Sequence, residues 1–468
     1  MKSKGGIEPV FCIFYMFKDR GMSMGTGIGL TDAVANKDLF DIGSYVRGLS
    51  NFIKECNTPM TIAIQGNQGA GKTSIMRMVE EELSKDPSQF FYVEFNTWES
   101  SQFDMDKKLP IVMIQSLMDS LSDDKEKNLE SVKAILKMAV SINADYMSHG
   151  TTGDLDKEFK KSYSAQLTDL KQEFQLLVNK RAGIIPAGSK LNKMKPQENA
   201  ELLQKTDGNK RVVFFIDDLD RLNPGNALQI LEVLKIILDC RNCVFVLAID
   251  YDVVRQGLAE RYGRYSRISN EEISKRGKDF FDKVIQVSFR VPVSSYKANE
   301  YIKACLEAIN VPVYSDSDID TYALLIRKSI GANPRILKRM MNSMALIISV
   351  IGREKFDEEK SYKLLFAVLC IQYGYVNLYN YLVSILDDLE FAFLHNIAHK
   401  SAEELKKQLA DVDLSKTDTD KLHAFLEVFV DKAMDLDDSG KVELSGDHDE
   451  MEMLREILYV SIITSVKF

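Results

Sequence analysis

The residues best placed to do chemistry sit behind a run of glycines. Gly66-Asn67-Gln68-Gly69-Ala70-Gly71-Lys72-Thr73 fits the pattern G-x-x-x-x-G-K-[ST] at every fixed position, with an apolar run before it and a helical pattern after it. Glycines let the backbone wrap closely enough for its N–H groups to converge on phosphate oxygens, and the start of the following helix adds partial positive charge. Lys72 is then expected to reach the β- and γ-phosphates, and the Thr73 hydroxyl to sit on Mg²⁺. Such a site needs a second, acidic half at the end of a neighbouring buried strand. Val212–Ile216 followed by Asp217 and Asp218 supplies it: five apolar residues, then two carboxylates. Asp217 is expected to hold the magnesium through its water shell. Asp218, pointing the other way on the pleat, is expected to orient or deprotonate an attacking water.

These groups need a sheet to position them, and the pattern around them predicts one. Met60–Gln65, Phe90–Phe95, Val212–Ile216, Val244–Ile249 and Val284–Phe289 read as strands. Helical periodicity falls at Asp38–Glu55, Thr73–Leu83 and Ala227–Leu238. Alternation of this kind implies a parallel sheet covered on both faces. Lys72 and Asp217 are 145 residues apart, where about 30 suffice for one strand–helix–strand unit. One extra strand, Phe90–Phe95, and a helical insertion account for the surplus, which places a strand between the two halves of the site. The predicted fold is therefore α/β: a P-loop NTPase parallel sheet of the additional-strand type, with a helical insertion and an all-α C-terminal region. No guanine-reading Asn-Lys-x-Asp motif follows, so ATP with Mg²⁺ is the expected ligand.

The predicted organisation is an unstructured or untranslated leader over 1–29 (Met22 or Met24 offering alternative starts), core segments at 30–103 and 211–294, a helical insertion at 104–210, a helical lid at 295–350 and an all-α region at 351–468. Within the insertion, Leu155, Phe159, Tyr163, Leu167, Leu170, Phe174 and Leu177 recur every three or four residues. That spacing fits either a helical arm or a helix packed on its own domain. Ala187–Asn209 reads as a polar loop. The 468 residues carry a net charge of -9, which argues against a generic phosphate-backbone binder. Cysteines at 12, 56, 240, 243, 305 and 370 form no disulfide framework, so reduced thiols in a cytoplasm are expected. The longest apolar stretches, Val10–Phe17, Met344–Val350 and Tyr459–Val466, are too short to cross a bilayer.

At Asp217-Asp218-Leu219-Asp220-Arg221 the chain resembles the KAP family of P-loop NTPases. Further segments agree in order: Thr31-Asp32 with Asp38-Leu39-Phe40-Asp41, Phe95-Asn96-Thr97-Trp98, Leu247-Ala248-Ile249-Asp250, Asp282–Pro292, and Asn333-Pro334-Arg335 with Lys338-Arg339. The resemblance covers roughly residues 30–345. It implies that the stretch containing Phe40 helps hold the base, that Asp250 sits near the γ-phosphate as a sensor, and that Arg335 approaches the phosphates from the lid. It also implies an arginine reaching the site from a neighbouring subunit, with Arg221 and Arg255–Lys283 as candidates, and a role in bacterial defence against phage or plasmids. Many members carry transmembrane helices between the two Walker motifs. Here that insertion has no such run, so no membrane anchor is carried over.

The remaining signals have plainer readings. Cys240 and Cys243 form one CxxC without a second pair, which favours packed thiols over zinc. His395 and His399 lack the intervening Glu of a zincin and read as ordinary helix residues. Asp435–Glu443 begins like a calcium loop, but Gly446 stands where a bidentate Glu is needed. Gly25–Gly29 has no strand before it. Arg255–Lys283, with eight basic and five acidic residues, fits a subunit contact better than a nucleic-acid channel. Three functions compete: a hydrolysing switch or motor working as a homo-oligomer or with a partner effector, an ATP-bound scaffold without turnover, and a ring ATPase stimulated by nucleic acid.

Overall fold

The computed structural model describes residues 29–31, 38, 40–101, 109–122, 155–185, 210–263, 269–293, 296–356, 359–415, 417–434 and 449–465. The chain divides into two compact units, one spanning Ile42–Val293 and the other taking in residues up to Asp41 and from Ser294 onward.

The first unit is built on β1 (Met60–Gln65), β2 (Phe90–Asn96), β3 (Arg211–Asp217), β4 (Cys243–Ala248) and β5 (Val287–Arg290), in spatial order β2-β3-β4-β1-β5 with every pairing parallel. Strand β4 is buried along its whole length and β3 at every interior position. Successive side chains point to opposite faces, so both faces must be covered. That requirement explains the unbroken apolar runs. The extra strand between the two halves of the site is present, but in space it is β4. Phe90–Phe95 lies instead at the sheet edge, beyond β3.

In chain order the helices of this unit are α1 (Gly43–Glu55), α2 (Lys72–Ser84), α3 (Thr97–Ser101), α4 (Leu109–Leu121), α5 (Leu155–Arg181), α6 (Pro224–Leu234), α7 (Tyr251–Gly263) and α8 (Asn270–Val284). Three boundaries differ from expectation. Helix α1 starts five residues later than the periodicity predicts, because Asp41 has φ 55° and breaks the helical path just before it. Helix α6 starts earlier, at the Asn223 cap with Pro224 in its first turn, and ends at Leu234. Val284 closes α8 rather than opening a strand: Phe281, Val284 and Ile285 are buried in the main core, and β5 begins only at Val287.

The helical-arm alternative is decided for the described part of α5. Leu170, Phe174 and Leu177 are buried, and the Phe174 ring lies 5.6 Å from that of Phe214 on β3, which stacks in turn on Phe245 of β4 at 4.8 Å. The helix packs on its own domain. The expected loop at Ala187–Asn209, the acidic loop from Asp435 and most of Gly25–Gly29 lie outside the described residues.

The second unit is helical: α9 (Ala298–Ala308), α10 (Asp316–Lys328), α11 (Pro334–Ile351), α12 (Glu359–Gly374), α13 (Val376–Ser384), α14 (Phe391–His399), α15 (Ala402–Gln408), α16 (Thr419–Val428) and α17 (Asp449–Ser461). Residues Leu364–Gln372 of α12 are buried all round, which marks it as the central helix. Among the described residues, no helix is long and apolar enough to cross a membrane.

Candidate functional site

Parallel register sets the site. Asn96 pairs with Asp217, Ile216 with Leu247, and Ile64 with Ala248. The loops after β1, β2, β3 and β4 therefore emerge at one edge of the sheet, the carboxyl edge where α/β proteins bind ligands.

The loop after β1 turns on Gly69 and Gly71, with φ of 82° and 101°, a left-handed path that side chains resist. A Cβ on Gly66 would come within 3.3 Å of Ala70 and of Val291 beyond β5, so the loop packs closely against the sheet there. Lys72 opens α2 with its side chain buried. Its ammonium group donates to the Gly66 carbonyl at 2.5 Å and the Asn67 carbonyl at 3.1 Å, and pairs with the Asp220 carboxylate at 2.8 Å.

Asp217 ends β3. The Thr73 side chain hydrogen-bonds its carboxyl, and the Asp218 N–H donates to its Oδ1 at 2.7 Å. Burial first, then the charge of Asp218, raises the Asp217 carboxyl above its ordinary range. A buried acid beside a second acid is a place for a cation. The Thr73 hydroxyl and the Asp217 carboxylate are hard oxygen donors of the kind Mg²⁺ takes, and the open backbone at Gly69 and Gly71 suits phosphate oxygens. The residues present thus fit a magnesium-bound triphosphate.

Asp218 is not aimed by pleat alternation, as the sequence pattern implies. It lies beyond the strand in a left-handed conformation, φ 59° and ψ 24°. From there its Oδ1 pairs with Arg221 Nε at 2.7 Å, and its Oδ2 accepts from the Asn96 side-chain amide at 3.0 Å. Asn96 is fixed in turn, because its Oδ1 accepts the Glu99 N–H at the start of α3. Asn96 and Asp220 are the site residues to which the sequence reading assigned no role. Their signal was present, in the strand-end Asn-Thr-Trp and in the third acid of Asp-Asp-Leu-Asp-Arg.

The other expected residues are divided between the two units. Asp250 follows β4, and its carboxylate accepts the Asp252 N–H at 3.0 Å at the start of α7. Arg221, a candidate for reaching a neighbouring subunit, engages its own Asp218. In Arg255–Lys283, Arg255 pairs with Asp252, Arg261 with Glu232 and Arg276 with Glu272. Phe40 and Arg335 belong to the helical unit. The Phe40 ring stacks on Tyr296 and on Tyr301, each at 4.3 Å, and is 9% exposed. Arg335 lies in the first turn of α11, where Asn333 caps its N–H at 3.1 Å. Cys240 and Cys243 are buried, and burial pushes the Cys240 thiol up to about 12, as expected of packed thiols. His395 and His399 stack at 4.3 Å on α14, and His399 Nε2 lies 3.0 Å from Asp431. Among the described residues, no cluster of three His, Cys, Asp or Glu side chains is arranged to hold a metal.

The model of the KAP family P-loop domain matches residues 43–351. The chain belongs to the KAP family of P-loop NTPases. The matched span takes in the whole sheet of this KAP protein and the helices as far as α11. No curated protein matches the chain. As a KAP NTPase, it has the fold and loop of a protein that binds and hydrolyses nucleoside triphosphates.

Proposed function

We propose that this KAP protein is a Mg²⁺-dependent ATPase that works as a nucleotide-driven switch or motor. The observation that carries the reading is the convergence of Lys72, Thr73 and Asp217 at one edge of the sheet, from segments 145 residues apart. Magnesium, when bound with the nucleotide, neutralises charge on the β- and γ-phosphates. Lys72 adds a fixed positive charge to those phosphates, and Thr73 and Asp217 hold the metal. Asp218 orients the attacking water and takes up its proton. Asp250 senses the γ-phosphate, Phe40 supports the base end, and Arg335 couples nucleotide state to the helical unit. The lack of a guanine-reading motif in the sequence favours ATP. Family resemblance supports a cytoplasmic role in anti-phage or anti-plasmid defence, as a homo-oligomer or with a partner effector.

A multiple-turnover phosphate-release assay tests the chemistry. Lys72→Ala is expected to abolish turnover, and Asp218→Asn to bind ATP without hydrolysing it. Ordinary turnover in both variants overturns the site assignment. A second reading, a scaffold that holds ATP without turnover, draws support from Asp218 having both carboxylate oxygens engaged. A folded wild-type protein that binds ATP and releases no phosphate, with or without partner or DNA, would establish it.

A further inference from the structure

A lysine ammonium group has three N–H bonds and no acceptor. In Lys72 all three have partners within the chain: two carbonyls of the phosphate loop and the carboxylate of Asp220. The Asp220 pairing is sealed, with side-chain exposures of 6% for Lys72 and 7% for Asp220. Asp220 sits at the centre of the 3₁₀ turn Leu219–Arg221. That turn begins at Asp218 and carries Arg221, whose guanidinium holds the Asp218 carboxylate. One three-residue element therefore binds the phosphate-loop lysine and, through Arg221, the acid assigned to the attacking water.

We propose that Asp220 is a positioning residue that stands in for the triphosphate when no nucleotide is bound. It neutralises Lys72 and keeps the loop closed upon its own carbonyls. Transfer of Lys72 from Asp220 to the phosphates then frees the turn that holds Asp218. The inference rests on Lys72 being a triphosphate ligand, as set out above. Its physical basis is competition: all three ammonium N–H bonds are engaged, so a phosphate oxygen must displace a present partner, and the like-charged Asp220 carboxylate is the one it repels. A carboxylate stripped of its counter-charge in a closed site is strongly disfavoured, so Asp220 cannot stay where it is once Lys72 turns away. Movement of Asp220 moves the turn, and with it the grip of Arg221 on Asp218.

The test compares wild type, Asp220→Asn and Asp220→Glu by calorimetric titration with a slowly hydrolysed Mg-ATP analogue, alongside steady-state kinetics. Asparagine keeps the shape and removes the charge. Asp220→Asn is expected to bind the analogue about tenfold more tightly, the size of effect that 1.4 kcal/mol of relieved competition gives, while kcat falls. Asp220→Glu keeps the charge and is expected to restore wild-type affinity. Unchanged or weaker binding by a folded Asp220→Asn protein overturns the proposal. Should that variant fail to fold, hydrogen exchange on the wild type decides instead. The analogue is expected to speed exchange at Leu219–Arg221 while slowing it in the glycine loop, and unchanged or slower exchange at the turn overturns the latch. A wild type that takes up no analogue at all would sink the reading of the site itself, a different failure from the latch.

Discussion

Glu80 on α2 shows how one side chain ties the stability of the sheet unit to solution conditions. Its carboxyl is raised to about 8, first by burial and then by a hydrogen bond with Glu94 of β2 and that group's negative charge. The folded protein thus keeps a proton that the unfolded chain gives up near 4.5, the ordinary value for glutamic acid. Stability from this group is complete at the acid end and is lost as pH rises from about 4.5 to about 8. Glu94 is exposed, so solvent and salt weaken the effect. Glu80→Gln, neutral at every pH, is expected to melt higher than wild type at pH 8, with the difference closing toward pH 4.5 and shrinking in high salt. Thermal melts across that range check it, and a constant gap refutes the pairing. The residue scale is also where sequence reasoning divides most sharply. Lys72, Thr73 and Asp217 were legible because glycine spacing and an apolar run fix their positions along the backbone. The Asp220 contact was not legible, because it depends on Asp218 adopting a left-handed turn. Alternation along a strand predicts no such turn.

Helix α11 joins a capping motif to a residue proposed to act on the nucleotide. It starts at Asn333-Pro334-Arg335: the asparagine side chain accepts the N–H groups of Arg335 and Ile336 at 3.1 and 3.3 Å, and proline occupies the first turn, where a missing N–H costs nothing. The motif is thus a helix start as well as the carrier of an arginine. Asn333→Ala is expected to destabilise the helical unit by about 1 kcal/mol. If Arg335 acts on the phosphates, the same change lowers kcat with little change in nucleotide affinity. Denaturant melts and a kcat-against-KM comparison separate the two effects. The interior strands β1, β3 and β4 were visible as apolar runs because a strand covered on both faces tolerates little else, whereas the edge strands β2 and β5 are half exposed and carry Glu94, Ser288 and Arg290. Their ends were less secure. Apolar residues at Val284 and Ile285 serve the last turn of α8 and its exit, and a buried helix end has the same composition as a buried strand. The spatial order, with β4 between β3 and β1, was not written in any local pattern, since it depends on crossovers rather than on residue types.

The chain enters the helical unit twice. Residues up to Asp41 belong to it, the sheet unit follows as Ile42–Val293, and the helices resume from Ser294. Phe40, stacked on Tyr296 and Tyr301, pins the first segment to the second inside that unit. In the order of the chain the sheet unit is thus an insertion between two segments of the helical unit, and its last residues lie next to the glycine loop. Val291 donates its N–H to Gln65 at 2.8 Å and packs where a Cβ on Gly66 would stand, two residues before the unit ends at Val293. Val291 thus packs the last residues of the sheet unit against the glycine loop. The proposed switch is tested by a measurement that reads both units. Hydrogen exchange with a slowly hydrolysed Mg-ATP analogue is expected to slow over Gly66–Thr73, where the backbone N–H groups meet phosphate. It is also expected to slow in the first turn of α11, which carries Arg335. Protection confined to the sheet unit would leave a nucleotide-binding domain whose helices do not sense the ligand, and the switch proposal would fall while the site assignment stood. Protection in both units that Arg335→Ala removes from α11 alone would identify that arginine as the coupling residue.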